Sequence, residues 1–306
     1  MLDVALLGSG GMMPMHNRHL SSLLLRYEGR MVLIDCGEGT QVSARQVGWG
    51  FKTLDCICLT HFHADHVTGL PGLLLTIGHA QRQEPLTIVG PVGVERIVRS
   101  LCVVAAELPF KIDFVEISNS GMENFSVPGT NFLLSAHPAK HNCTCFAFKL
   151  DIPRKGRFDP VAAAGLGLPV QMWGKLQRGE TVEQNGQSFT PEMVMGAARR
   201  GLCVSYCTDS RPPAGLPDFI RHSDLFVCEG QYGDEEKLPK AKAYKHMIFS
   251  EAATLAKQGE VKKMWLTHFS PSLQNPKDYL HNARKIFANS YVGYDRLTES
   301  FNFDEE

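Results

Sequence analysis

Six consecutive residues, His61-Phe62-His63-Ala64-Asp65-His66, place three imidazoles and a carboxylate directly after a short apolar stretch. Imidazole nitrogen and carboxylate oxygen are the donors that a borderline cation such as zinc prefers, and a strand-to-helix turn can aim alternate members of such a run at one point. A lone histidine is usually a satisfied surface or core residue, but this density points to metal. One cluster cannot complete two coordination shells, so further His and Asp ligands are expected at strand ends downstream. His141 before an apolar strand, and Asp209 and His268 after two others, meet that condition.

The elements that must position these side chains follow from the apolar pattern. Strands are predicted over residues 4–7, 22–27, 31–35, 56–59, 86–89, 112–117, 132–136, 145–150, 202–207, 225–228 and 264–267. Helices are predicted after Gly37, Asp65, Pro91, Pro213, His246 and Pro276. Strands alternating with helices in this way argue for a layered α/β fold. The tetrapeptide Leu59-Thr60-His61-Phe62 recurs as Leu266-Thr267-His268-Phe269, each copy closing a short apolar strand. That repetition predicts a pseudo-symmetric site with both histidines at carboxyl ends of strands, where open α/β sheets collect their ligands.

The chain has 306 residues, of which 43% are hydrophobic, and carries 31 basic against 32 acidic side chains for a net charge of −1. This composition excludes a disordered chain and a small disulfide-stapled scaffold. It also excludes a uniformly basic surface, so a polyanionic partner would have to bind a local patch. One such patch is present: between Arg154 and Arg178 five basic residues, Arg154, Lys155, Arg157, Lys175 and Arg178, face a single acid, Asp159. Groups such as Asp304-Glu305-Glu306 offset them elsewhere. With Gly and Pro throughout and poor periodicity, residues 153–200 read as an inserted arm within one domain spanning 1–306; a solvated surface loop is the alternative. Cys56/Cys58 and Cys143/Cys145, in apolar runs, are expected to face apart along strands, making buried free thiols the expectation for the nine cysteines. An acidic, early-broken amino terminus and no apolar run near ~18 residues lead to the expectation of a cytoplasmic protein without a membrane span.

His-x-His-x-Asp-His after a strand, followed by isolated His, Asp and His, resembles the metallo-β-lactamase superfamily. Asp35-Cys36-Gly37-Glu38-Gly39-Thr40-Gln41 and Gly69-Leu70-Pro71-Gly72-Leu73-Leu74 resemble, within it, the ribonuclease Z family of endonucleases that remove 3′ trailers from precursor tRNA. The resemblance implies a four-layer αβ/βα sandwich with two zinc ions per chain, manganese or iron being open alternatives. His61, His63 and His141 would hold one ion, Asp65, His66 and His268 the other, and Asp209 would bridge them; His137 is the alternative to His141. Such a pair supplies a nucleophilic hydroxide near neutral pH and stabilises the entering and leaving oxygens at phosphorus. Asp65 would accept the water's proton or act as a ligand alone.

By the same resemblance Glu229 orients and charges His246, which supports the scissile phosphate or leaving oxygen. Arg18 in the first loop and Arg154, Lys155, Arg157, Trp173, Lys175 and Arg178 in the arm would bind substrate, gripping phosphates and stacking on a base or sugar. A homodimer, each arm reaching RNA held by the other copy, is implied too. The chain departs from the family at Thr208-Asp209-Ser210, at Cys228, at His19, after His268 and at Leu168-Pro169. The competing expectations are a hydrolase of a small phosphodiester, lactone or thioester on the same fold, and a non-catalytic metal- or RNA-binding module.

Overall fold

A computed structural model describes residues 1–105 and 107–304. The first half of the chain forms β1 (Leu2–Gly8), β2 (Ser22–Tyr27), β3 (Arg30–Ile34), α1 (Thr40–Val47), β4 (Leu54–Cys58), α2 (Ala64–Val67), α3 (Leu70–His79), β5 (Leu86–Pro91), α4 (Val94–Leu101) and β6 (Ile112–Ile117). The antiparallel strands β7 (Met122–Ser126), β8 (Leu133–Pro138) and β9 (Phe146–Arg154) follow. Next come α5 (Pro160–Gly165), α6 (Val170–Arg178) and the hairpin β10 (Val182–Gln184) and β11 (Gln187–Phe189). The remainder is β12 (Arg199–Cys207), α7 (Leu216–Phe219), β13 (Leu225–Glu229), α8 (Leu238–Tyr244), α9 (Phe249–Gln258), β14 (Met264–Thr267), α10 (Leu280–Arg284), β15 (Ser290–Val292) and β16 (Leu297–Phe301).

These elements divide into two compact units. One comprises residues 1–151 and 202–302; the other comprises 152–201 and the segment beginning at Phe303.

The larger unit holds two seven-stranded sheets, ordered β16-β1-β2-β3-β4-β5-β6 and β15-β14-β13-β12-β9-β8-β7. Strands β3 to β6 are mutually parallel, as are β12 to β15. Parallel strands are normally buried on both faces, and the side-chain alternation shows how. Ala5, Leu7, Leu24, Leu33 and Ile57 pack against Leu70, Leu73, Leu74, Ile77, Val94 and Val98, the inward stripes of α3 and α4. Their alternates Val4, Leu6, Leu23, Leu25, Val32 and Ile34 are equally buried but lie outside that cluster. In the second sheet Cys207, Phe226, Cys228 and Leu266 pack on α7, α9 and α10. Their alternates Val204, Tyr206, Leu225, Val227 and Trp265 are buried on the opposite face. Tyr206 is fully buried beside Ser21, the residue before β2, so the two free faces meet. The order is helix, sheet, sheet, helix, the four-layer αβ/βα sandwich.

All eleven predicted strands are present. The strands without a sequence signal are short, and β7, β15 and β16 lie at sheet edges. An edge strand such as Leu297–Phe301, partly exposed at alternate positions, needs no continuous apolar run. The cysteine geometry differs from expectation. Cys56 and Cys58 share one face of β4 with sulfurs 3.7 Å apart, because the strand period is two residues. Cys143 precedes β9 and is exposed, and Cys203 is half-buried; all nine thiols are free.

The second unit has its own apolar centre. Ala163, Leu168, Leu176, Val182, Phe189 and Val194 are buried there, with Phe158, Met172 and Trp173 packed against them. Asp159 caps α5, accepting from the amides of Val161 and Ala162 at 2.9 Å each. Helices of six and nine residues and strands of three are too short to show a period, which is why this segment reads as irregular in sequence. Glu305 and Glu306, part of the acidic terminus, lie outside the described residues.

Candidate metal centre

His61, Asp209, Glu229 and His268 all leave or end the carboxyl ends of parallel strands, respectively β4, β12, β13 and β14. The repeated tetrapeptide behaves symmetrically. Phe62 packs on the outer cluster of the first sheet and Phe269 on that of the second, while the preceding histidines both turn to the centre. Asp65 and His66 sit on α2, and His141 comes from the loop between β8 and β9. Asp35, Asp209 and His268 have φ of 58°, 46° and 58°, in the left-handed region where non-glycine residues are uncommon. Gly11 lets the loop after β1 close over the centre, since a Cβ there would meet the His268 ring at 2.6 Å.

Two nests share one carboxylate. Asp209 Oδ1 lies 3.9 Å from His61 Nε2 and 3.7 Å from His141 Nε2, and His141 Nε2 lies 3.3 Å from His63 Nδ1. Asp209 Oδ2 lies 3.0 Å from both His66 Nε2 and His268 Nε2. Asp65 Oδ2 completes the second nest, 3.4 Å from His268 Nε2 and 3.7 Å from His66 Nε2. His141 rather than His137 joins the cluster; His137 contacts the Ala214 carbonyl at 2.9 Å and stacks on Phe219.

The residues fit a metal. Nε2 of His61 is buried with no hydrogen-bond partner among the described residues, and Nε2 of His66 faces only the Asp209 oxygen it shares with His268, an arrangement that is costly unless a cation completes it. The opposite nitrogens are held: His66 Nδ1 donates to Asp35 Oδ2 at 2.8 Å, and His61 Nδ1 meets Thr60 Oγ1 at 3.0 Å. Asp35 also accepts from Thr60 N at 2.8 Å. Such a partner fixes ring orientation and tautomer for a ligand.

Electrostatics favour the ligating forms of His61, His141, Asp209 and Asp65, whereas at His66 burial works downward but Asp209 and Asp35 outweigh it and raise the pKa. Burial pushes the His61 and His141 pKa values down, keeping the rings neutral. At Asp209 burial opposes ionisation, but the rings of His268, His66 and His61 outweigh it and hold the carboxyl well below the usual range. Asp65 is likewise held low against burial by His268 and His66, and its Oδ2 accepts from Met12 N at 2.7 Å. At His246 burial works downward, but Glu229 and Asp209 raise its pKa. His246 Nδ1 is 3.2 Å from Glu229 Oε2, and that fully buried carboxylate also accepts from Met247 N at 3.0 Å and from Ser210 N.

A cleft of about 150 Å³ opens on this group, lined by Met12, His63, Asp65, His141, Asn142, Asp209, Gln231, Tyr244, His246 and His268. A hollow of about 660 Å³ between Val98 and Phe114 is larger but holds no such cluster among the described residues, so chemistry rather than size locates the site. Arg18 is engaged structurally, donating to the carbonyls of Leu273 at 3.1 Å and Gln274 at 3.2 Å. In the second unit Arg154 donates to the Asp304 carbonyl at 2.9 Å, Lys155 to the Arg178 carbonyl at 2.6 Å and Arg178 to Glu180 at 2.8 Å. Trp173 donates its indole N–H to the Leu168 carbonyl at 2.9 Å, while Arg157 and Lys175 are exposed. Sequence reasoning missed Asp35 and Gln231. The signal for Asp35 was an acid ending an apolar strand, the same signal that marked Asp209.

The sandwich and a His/Asp cluster at the strand ends define a metallo-β-lactamase-fold protein with a metal-binding site. Two solved structures share the fold: human tRNase Z, short form, with TM-score 0.68, 24% identity and coverage of 98% of this chain and 100% of that one; and the metallo-beta-lactamase fold protein YhfI of Bacillus subtilis, with TM-score 0.68, 16% identity and the same coverage. A family model described as anti-Pycsar protein Apyc1 matches residues 2–102. Ribonuclease Z of Lachnospira eligens is 52% identical over 306 residues, and ribonuclease Z of Clostridium kluyveri is 50% identical over 305, each match covering 100% of both chains. The chain belongs to the ribonuclease Z family, metal-dependent hydrolases of the metallo-β-lactamase superfamily.

Proposed function

We propose that the protein is a zinc-dependent endoribonuclease that removes the 3′ trailer from precursor tRNA. The observation that carries this reading is the Asp209 carboxylate, with Oδ1 toward His61 and His141 and Oδ2 toward His66 and His268. His61, His63 and His141 would hold one ion, Asp65, His66 and His268 the other, with Asp209 shared; the imidazole-rich donor set favours zinc. Two such ions, when bound, would polarise a phosphoryl oxygen and lower the pKa of water at the site to about 7.

The chain's own residues do the rest. Asp65, anchored by the Met12 amide, takes the proton of the water that attacks phosphorus. The bond from phosphorus to the 3′ oxygen of the tRNA body breaks as the new bond forms. His246, charged through Glu229, faces the departing oxygen and protonates it, leaving a 3′-hydroxyl on the tRNA and a 5′-phosphate on the trailer.

In the same reading the chain is one metallo-β-lactamase-fold domain, and residues 153–200 serve as its tRNA-binding arm. The exposed Arg157 and Lys175 meet phosphates there, and Trp173 supports the arm from within. A homodimer and a cytoplasmic location belong to this reading; nine free thiols suit a reducing compartment, and no helix among the described residues is long and apolar enough to cross a membrane.

The test is incubation of the metal-analysed protein with a trailer-bearing precursor tRNA, with mapping of both product ends and light scattering for the subunit number. Two ions per chain and the stated ends are expected. Two ions with no cleavage would refute the reading in favour of a small phosphodiester or ester substrate.

A further inference from the structure

Gln231 lines the catalytic cleft, and none of the steps above uses it. It stands two residues beyond Glu229, where the chain leaves β13. Its carbonyl accepts from Ser270 N at 3.1 Å, and the flanking Gly230 N donates to the Thr267 carbonyl at 2.9 Å, so its backbone is pinned to the exit of β14. The side chain is only 1% exposed. Neither Oε1 nor Nε2 has a hydrogen-bond partner among the described residues.

Native proteins satisfy nearly all buried amides, because burying one unpaired is costly. An amide unpaired at both ends, held in a cleft with Asp65, Asp209, His246 and His268, is a group whose partner arrives with the substrate. The chemistry of that partner follows from the two vacant ends. A phosphate oxygen accepts only, so phosphate alone would satisfy Nε2 and leave Oε1 unpaired. A hydroxyl both donates and accepts. In RNA the hydroxyl closest to the reacting centre is the ribose 2′-hydroxyl, on the carbon adjacent to the one that bears the scissile 3′ oxygen. That hydroxyl is also what distinguishes RNA from DNA.

We propose that Gln231 recognises a ribose 2′-hydroxyl at the scissile linkage, Oε1 accepting its proton while Nε2 donates to the same oxygen or to the neighbouring phosphate. The inference rests on the reading of the cleft as RNA-cleaving. It makes Gln231 a specificity determinant for a ribose linkage rather than a part of the metal centre.

The experiment compares three precursor tRNAs: all-ribose, and two with a single 2′-deoxy nucleotide on either side of the scissile phosphate. Each is cleaved by the wild-type holoenzyme and by Gln231→Met, which keeps the length of the side chain and removes both polar ends. The wild type is expected to lose about tenfold in kcat/KM at one deoxy position, the worth of an ordinary hydrogen bond. Gln231→Met is expected to lose about as much on the all-ribose substrate and nothing further on that deoxy substrate. Its turnover of a ribose-free chromogenic phosphodiester and its Tm should be unchanged, the latter unchanged or raised because an unpaired amide has gone.

A deoxy penalty that persists in Gln231→Met overturns the proposal, as does a wild type indifferent to both deoxy positions. A fall in Tm or in small-phosphodiester turnover would make Gln231 a support of the fold or of the centre, and would overturn it too. In each of these cases the wild type still cleaves the all-ribose precursor, so the reading of the cleft stands; a wild type that cleaves no precursor removes both.

Discussion

In the unit of residues 152–201, Lys155 donates to the Arg178 carbonyl, Arg178 to Glu180 and Trp173 to the Leu168 carbonyl. In the larger unit His61 keeps a buried Nε2, and Gln231 a whole amide, without a hydrogen-bond partner among the described residues. Both regions are polar in sequence, and both are candidate binding surfaces. Their difference lies in which polar groups the fold itself consumes. A polar side chain already satisfied by the chain stabilises that chain, whereas a buried one left unsatisfied has a cost that only a ligand offsets. Of the five basic residues between Arg154 and Arg178, Arg178 is drawn to an acid, Glu180, while Arg154 and Lys155 donate to backbone carbonyls, contacts that fix their positions and leave their charge in place.

The largest effect should come from the shared ligand. Asp209→Ala removes an oxygen from each nest, and kcat/KM on precursor tRNA should fall by on the order of a thousandfold or more. Elemental analysis should show fewer than two ions per chain; full metal content with full activity would break the distinction drawn between the units. Asp35→Asn should act one step back, loosening His66 and weakening metal affinity by roughly 10- to 100-fold, read by chelator competition. Restoration of activity at excess metal would separate this orienting role from a direct one.

In the second unit Trp173→Ala should cost about 2 kcal/mol, below the range for a fully buried Trp because this one is only half-buried. Thermal unfolding would register it, with turnover of a small phosphodiester intact. The smallest effect is assigned to Arg157→Ala combined with Lys175→Ala: KM for precursor tRNA should rise about tenfold at unchanged kcat, with a shallower salt dependence. If the salt dependence of cleavage does not change, the arm's exposed cations are not its grip.

Much of the centre was legible in the chain. The run from His61 to His66 and the duplicated Leu-Thr-His-Phe carry their own spacing, and alternation in apolar strands shows which ends they occupy. The edge strands β7, β15 and β16 were not legible, because partial exposure removes the apolar run that marks a strand. Nor were the helices of the second unit, each too short to complete a recognisable period.

Asp35 and Gln231 show the boundary most clearly. Asp35 stood in the segment that carried the family resemblance, yet its bond to His66 spans 31 positions and exists only because β3 and β4 lie side by side. By itself the sequence determined the donor types, their strand-end positions and the layered α/β class, since these depend on local periodicity and residue chemistry. Only the tertiary structure decided which oxygen of Asp209 faces which histidines, that Arg18 and Trp173 are held by backbone carbonyls, and that Gln231 is buried with both ends unpaired among the described residues. Whether a polar group is satisfied depends on neighbours from distant parts of the chain, and no local pattern encodes them.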